Sequence, residues 1–157
     1  MTETQAAPAP LPASDRVETV RRRLVSPLLQ RGYFLTKMPL ALFAGVRLEA
    51  LDAGRCVTSV RYGWRSTNPF RSTYFAALGM AAEMSTGALG ALAVESAPQS
   101  VAMLIVGLTG GFEKKAVAKT TFVCEEGAAI AAAVAQAQAT GEAATATVAT
   151  IGRDPAG

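Results

Sequence analysis

One carboxylate is conspicuous for its surroundings. Glu83 is the sole charged residue between Tyr74 and Val94, in a stretch otherwise built mainly of Ala, Gly, Leu and Met. Placing an unpaired carboxylate in an apolar setting costs several kcal/mol or forces it to keep its proton, so Glu83 needs partners or a task. At helical spacing its neighbours one turn away are Gly79 and Gly87, with Ala76 and Gly90 further along the same side. Such a face leaves room beside the carboxylate. Fifteen residues earlier stands Asn68, in an Asn-Pro pair. The start of the helix, at Tyr74-Phe75-Ala76, falls between the two. The first N–H groups of a helix lack partners and carry partial positive charge, so they can hold an oxyanion. An Asn amide, a helix N-terminus and a carboxylate two turns down can together hold a carbonyl and activate a water. The competing reading is structural: Glu83 bonds to backbone N–H groups under a packed neighbour, and Asn68 makes a plain turn.

The elements that must position these groups follow from periodicity. Ser14 or Asp15 can cap a leader helix whose stripe is Val17, Val20, Leu24, Leu28 and Leu29, with Pro27 kinking or ending it. A short helical or irregular piece covers Tyr33 to Pro39. The period then changes to two. Phe43–Leu51 and Cys56–Tyr62 read as strands joined by the turn Asp52-Ala53-Gly54. After the loop Trp64–Arg71, Ser72 or Thr73 is the expected N-cap of a helix from Phe75 to about Val94. It is apolar nearly all round, and such a helix is buried on every side or spans a membrane. Its small residues, its mid-span carboxylate and the amphipathic strands on either side favour a core helix and no membrane span. The apolar run Val101–Leu108 reads as a central strand, followed by the turn Thr109-Gly110-Gly111 and a strand Lys115–Cys124. An Ala-rich helix (Ala128–Ala139), a last strand (Ala143–Ile151) and a turn signal at Asp154–Gly157 complete the pattern. A sheet curled around one apolar helix makes an α+β fold that buries the helix.

Composition bounds the rest. The 157 residues suit one domain, 15–157, preceded by an Ala/Pro-rich stretch, 1–14, that reads as a disordered tail without the basic start of a signal peptide. A cytoplasmic location is the default expectation. The formal charge of +3 is mild and comes partly from Arg21, Arg22 and Arg23, a solvated helix face; no nucleic-acid groove is expected. Histidine is absent, which removes Ser-His and Cys-His catalysis and most zinc sites, so no metal is expected and carboxylates remain as proton acceptors. Cys56 and Cys124 lack CxxC spacing and read as buried, reduced thiols.

The stretch from Arg65 through Asn68-Pro69-Phe70 and Tyr74-Phe75 to Glu83 resembles the active-site segment of the hotdog-fold thioesterase superfamily. In the phenylacetic-acid-pathway type an Asn, a His-Gly at the helix start and an acid on the helix occur at this spacing; Asn68 matches the Asn and Glu83 the acid. An uncharacterised bacterial branch with an Asn-Pro-Phe…Tyr-Phe…Ala-Glu segment is more similar still. The likeness covers about residues 40–151 and is specific over 64–87. It implies a hotdog fold, no cofactor, and hydrolysis of an acyl-CoA or other acyl thioester. Glu83 would be the base or nucleophile, the Phe75 N–H the oxyanion donor, and Asn68 would position the water or carbonyl. Tyr74, Gly79 and Gly87 would line the substrate site, with Arg65 and Arg71 on the phosphates of CoA. It further implies a homodimer or a tetramer of dimers with sites at subunit interfaces. Tyr74-Phe75 stands where the pattern has His-Gly, which places a bulky side chain over the oxyanion donor. A hotdog sheet usually carries another strand after a turn such as Asp154–Gly157, so either the chain is truncated or the sheet has one strand fewer and an exposed edge. The alternative within the resemblance is a non-catalytic acyl- or ligand-binding module closed by Tyr74 and Phe75. A hotdog dehydratase would need a His.

Overall fold

The computed structural model describes residues 15–156; the expected tail, 1–14, lies outside them. Three helices lead: α1 (Asp15–Val25), α2 (Pro27–Lys37) and α3 (Pro39–Ala44). Pro27 does more than kink the leader. It opens α2, because its fixed φ suits the first helical turn and its missing N–H is not needed there. The new helix changes the buried stripe. Val17 is buried and Val20 and Leu24 pack on the core, but Leu28 and Leu29 point to solvent while Gln30 and Phe34 take the inward positions. Of the two expected forms of the piece at 33–39, helical or irregular, it is helical except at the α2–α3 junction, where Pro39 starts α3.

The sheet follows: β1 (Arg47–Leu51), β2 (Cys56–Val60), β3 (Thr120–Cys124) and β4 (Ile151–Arg153), all antiparallel and in the order β1-β2-β3-β4. The β1–β2 hairpin forms as its pattern predicts, with the Asp52 carboxylate accepting from the N–H groups of Gly54 and Arg55 to shape the turn. Strand β1 starts later than expected, since Phe43 belongs to α3. A bulge between Leu48 and Ala50 shifts the alternation, so Leu51 is buried and Ala50 only partly. The bulged Glu49 accepts from Ser59 Oγ (2.6 Å) and Lys119 Nζ (2.7 Å), which hold its carboxyl below the usual range, Lys119 more than Ser59.

Helix α4 (Phe75–Ser96) lies on the sheet. Ala77, Leu78, Ala81, Met84, Ser85, Ala88, Leu89 and Leu92 form its buried side, and Thr58 Oγ1 of β2 donates to the Ala81 carbonyl at 2.5 Å. By length and composition α4 could cross a membrane, yet it packs here as a core helix. It is not buried on every side, because Gly79, Met80, Glu83 and Gly87 face a partly open surface. Helix α5 (Gly127–Thr140) packs on α4, and its first residue fits against the hairpin turn where any side chain would strike the Ala53 carbonyl. Cys56 and Cys124 oppose each other across β2 and β3, free and fully buried as expected. Burial pushes the Cys56 thiol up to about 12.

Three expected strands are corrected. Residues 101–113 form neither the strand nor the turn foreseen; Leu104, Val106 and Leu108 are 80, 76 and 68 % exposed, and no strand among the described residues pairs with them. The strand at Lys115–Cys124 shortens to β3, because Ala116 gives its carbonyl to Thr73 instead. Of the expected last strand only Ile151 is paired, in β4, which runs on through Gly152 and Arg153; upstream the Ala149 N–H is taken by the Glu126 carboxylate and Thr150 pairs with Ser85.

Candidate functional site at the start of helix α4

The loop before α4 is built around Asn68. Its Oδ1 accepts from the N–H groups of Phe70 (2.9 Å) and Ser72 (3.2 Å), and its Nδ2 donates to Ser72 Oγ (3.0 Å). Thr67 and Thr73 close the loop as an isolated antiparallel bridge. Arg71 completes the turn at φ 58°, a left-handed value uncommon for a residue with a side chain. Tyr74 N–H reaches back to the Ser66 carbonyl at 2.6 Å, and Thr73 N–H to the Ala116 carbonyl at 2.7 Å.

This wiring decides the helix end. Ser72 and Thr73, the expected N-caps, spend their hydroxyls on Asn68 and Ala116, so the cap position falls to Tyr74, which has no side-chain acceptor to offer. The N–H groups of Ala77 and Leu78 turn back onto the Tyr74 carbonyl, whereas those of Phe75 and Ala76 have no partner among the described residues. Two donors at the positive end of a helix of about six turns are thus left for an acceptor from outside. The sequence placed the helix start at Tyr74-Phe75-Ala76 and gave the donor role to Phe75; the N–H of Ala76 stands free beside it.

Aromatic rings frame that end. Tyr74 and Phe75 pack edge to face at 4.8 Å, both well exposed, and Phe112 meets Phe75 at 6.3 Å. Phe112, which the sequence did not flag, comes from the unpaired segment after α4. That segment begins over the other end of the helix, where Met103 occupies the space a side chain at Gly90 would need.

Glu83 sits two turns into α4, half-buried, and its carboxylate has no hydrogen bond or ion pair among the described residues. Desolvation alone raises its pKa above the ordinary carboxylate value. The side chain leans over Gly87, where an added Cβ would stand 2.8 Å from Oε1, while the space at Gly79 is open. The two glycines differ: Gly87 makes room for the carboxylate, and nothing lies within 4 Å of a Cβ placed at Gly79. Eight residues at 1.5 Å each separate Glu83 from Phe75 by about 12 Å along the axis. One chain therefore does not bring the carboxylate and the free N–H pair onto the same small group. The proposed phosphate contacts also part company: Arg71 lies on the exposed turn, and Arg65 reaches to Gly45 at the end of α3. Among the described residues no cluster of His, Cys, Asp and Glu could hold a metal.

An antiparallel sheet with a long apolar helix laid on it is an α+β arrangement consistent with a hotdog fold. Two crystal structures share it. A protein of unknown function from Chlorobaculum tepidum TLS superposes with a TM-score of 0.62 at 13% identity, over 76% of this chain and 77% of its own. A second, from structural genomics, gives 0.56 at 15% identity, over 71% and 75%. No curated protein matches the sequence. The chain belongs to the family defined by the domain of unknown function DUF4442, whose model matches residues 27–156.

Proposed function

We propose that the protein hydrolyses an acyl thioester of the acyl-CoA class. The observation that carries this reading is a half-buried, unpartnered carboxylate of raised pKa, Glu83, on the helix whose first N–H groups, at Phe75 and Ala76, are unsatisfied. The N–H pair holds the carbonyl oxygen as negative charge develops on it. Glu83 takes a proton from water as the oxygen attacks the carbonyl carbon, and the C–S bond breaks to release a thiolate. Asn68 holds the loop that presents the helix end and is a positioning residue. Tyr74, Phe75 and Phe112 flank the acyl chain, with Gly79 leaving its path open. No cofactor takes part.

The axial gap of about 12 Å calls for a second copy of the chain. A neighbouring α4 running the other way sets Glu83 of one chain toward the helix start of the next, so each site needs both. The half-open face of α4 and the exposed apolar segment 101–108 supply the surface for such a pair. A homodimer is the minimum unit, and dimers can assemble further. Buried reduced thiols suit a cytoplasmic location.

The test is turnover on a panel of acyl-CoA chain lengths. Glu83→Gln is expected to lower kcat by about 10²–10⁴ on any responsive substrate with the fold intact; undiminished turnover would sink the assignment. The aromatic cluster at the helix mouth favours one other reading, a non-catalytic acyl-binding module. That reading expects no turnover across the panel together with a thermal shift from one ligand.

A further inference from the structure

A groove of about 540 Å³, within the range of small-molecule sites, lies between the leader helices, strand β1 and the loop after β2. Arg31, Arg47, Arg61 and Arg65 border it, and none of the four forms an ion pair among the described residues. The one carboxylate in the wall, Glu49, is engaged by Ser59 and Lys119 and also feels the charge of Arg47, which leaves Arg31, Arg61 and Arg65 without a carboxylate in the wall. Four like charges around one concavity repel each other unless an anion joins them. Arg65 is placed there by a backbone feature: Gly45 caps α3 at φ +79°, and its bare Cα leaves space where a Cβ would be 3.2 Å from Arg65 Nη2.

The same wall carries Trp64. It is 79% exposed, yet it is braced edge to face by Phe43 at 6.1 Å and 90°. A large ring held in place and left in water does nothing for the core; it is a surface on which a flat ring can stack. Guanidinium groups bind phosphate through paired, charge-assisted hydrogen bonds.

We propose that this groove binds a nucleoside phosphate, its phosphates on Arg47, Arg61 and Arg65 and its base on Trp64. Two sources carry this chemistry, a free nucleotide and the nucleotide end of a coenzyme A thioester. The proposal does not rest on the hydrolytic role of Glu83 and is tested by binding alone.

Trp64 is the only tryptophan in the chain, so intrinsic fluorescence reports on the groove directly. The whole protein is titrated with ADP, adenosine 3′,5′-bisphosphate, coenzyme A and inorganic phosphate, with calorimetry in parallel. Saturable quenching by the nucleotides is expected. Arg47→Ala and Arg61→Ala should each weaken binding about tenfold, and Trp64→Ala by a similar factor in calorimetry, with thermal melting unchanged. Glu83→Gln should bind as the parent does. Coenzyme A binding ten times or more tighter than both nucleotides supports the proposal with the thioester as source; equal affinities support it with a free nucleotide. Absence of saturation by any nucleotide, indifference to both arginine variants, or inorganic phosphate binding as tightly as ADP would overturn it.

Discussion

Two short segments that both read as strands in this chain end in opposite surroundings. Cys56–Val60 is paired on both sides, by β1 and β3, and every one of its residues is buried. Val101–Leu108 is at least as apolar, pairs with no strand among the described residues, and leaves Leu104 and Val106 largely in water. The difference lies in the supply of neighbours. Strand β2 finds its first partner across a tight turn, and the turn fixes the register. The second run finds the sheet occupied at β3 by β2 and β4, with the helix face already served by its own small residues. Hydropathy states that a surface needs a cover; it does not state which chain provides it.

Truncation should separate the two regions most sharply. Phe122 stands opposite Thr58 of β2 and is buried, so Phe122→Ala is expected to cost about 3–5 kcal/mol in denaturant unfolding. Leu104→Ala should shift the stability of the single chain by no more than about 0.5 kcal/mol. Equal costs for the two would show that the outer run is covered within the chain.

Alkali should test the inner region next. The Cys56 thiol ionises near 9.0 when unfolded and near 12 when folded, so the folded state keeps its proton longer. Stability from this group is complete below pH 9 and declines as pH rises toward 12, by about 1.4 kcal/mol per pH unit. Cys56→Ala should remove that part of the decline in unfolding curves taken across this range. An unaltered slope would mean that the thiol is reached by water.

For the outer region the readout is self-association. In the proposed pairing Leu104→Glu places a charge in the interface, and should weaken self-association about 100-fold in sedimentation equilibrium. If this variant pairs as tightly as the parent, the run is not the interface.

The sequence made Glu83, the hairpin, the core helix and the buried thiols legible, because each rests on local pattern: a lone charge among apolar residues, a period of two, a turn signal between strands. It failed where a partner is distant. Ser72 and Thr73 were sound N-cap choices by type, but their hydroxyls answer to Asn68 and to Ala116, and the second lies 43 residues away. The candidate site was half legible. The residue types and the helix start could be read, whereas the axial gap between Glu83 and Phe75 becomes decisive only when a substrate-sized reach is set against it. Of the arginine groove only Arg65 was legible, as an expected phosphate contact; Arg31 of α2 and Arg47 of β1 join Arg61 and Arg65 of the loop after β2 from elements that local spacing does not connect.

The Gln30 side chain, buried between leader and sheet, donates from one amide nitrogen to the Leu24 carbonyl at 2.6 Å and to the Leu48 carbonyl at 2.8 Å. One acceptor is at hand as soon as α1 is made; the other belongs to β1, and α1 also rests on α4. During synthesis at roughly 5–20 residues per second, the leader is therefore complete for several seconds before α4 has emerged to receive it. Over that interval its apolar side is on offer to whatever meets the nascent chain first, while Gln30 ties α2 to α1 and to β1 but not to α4.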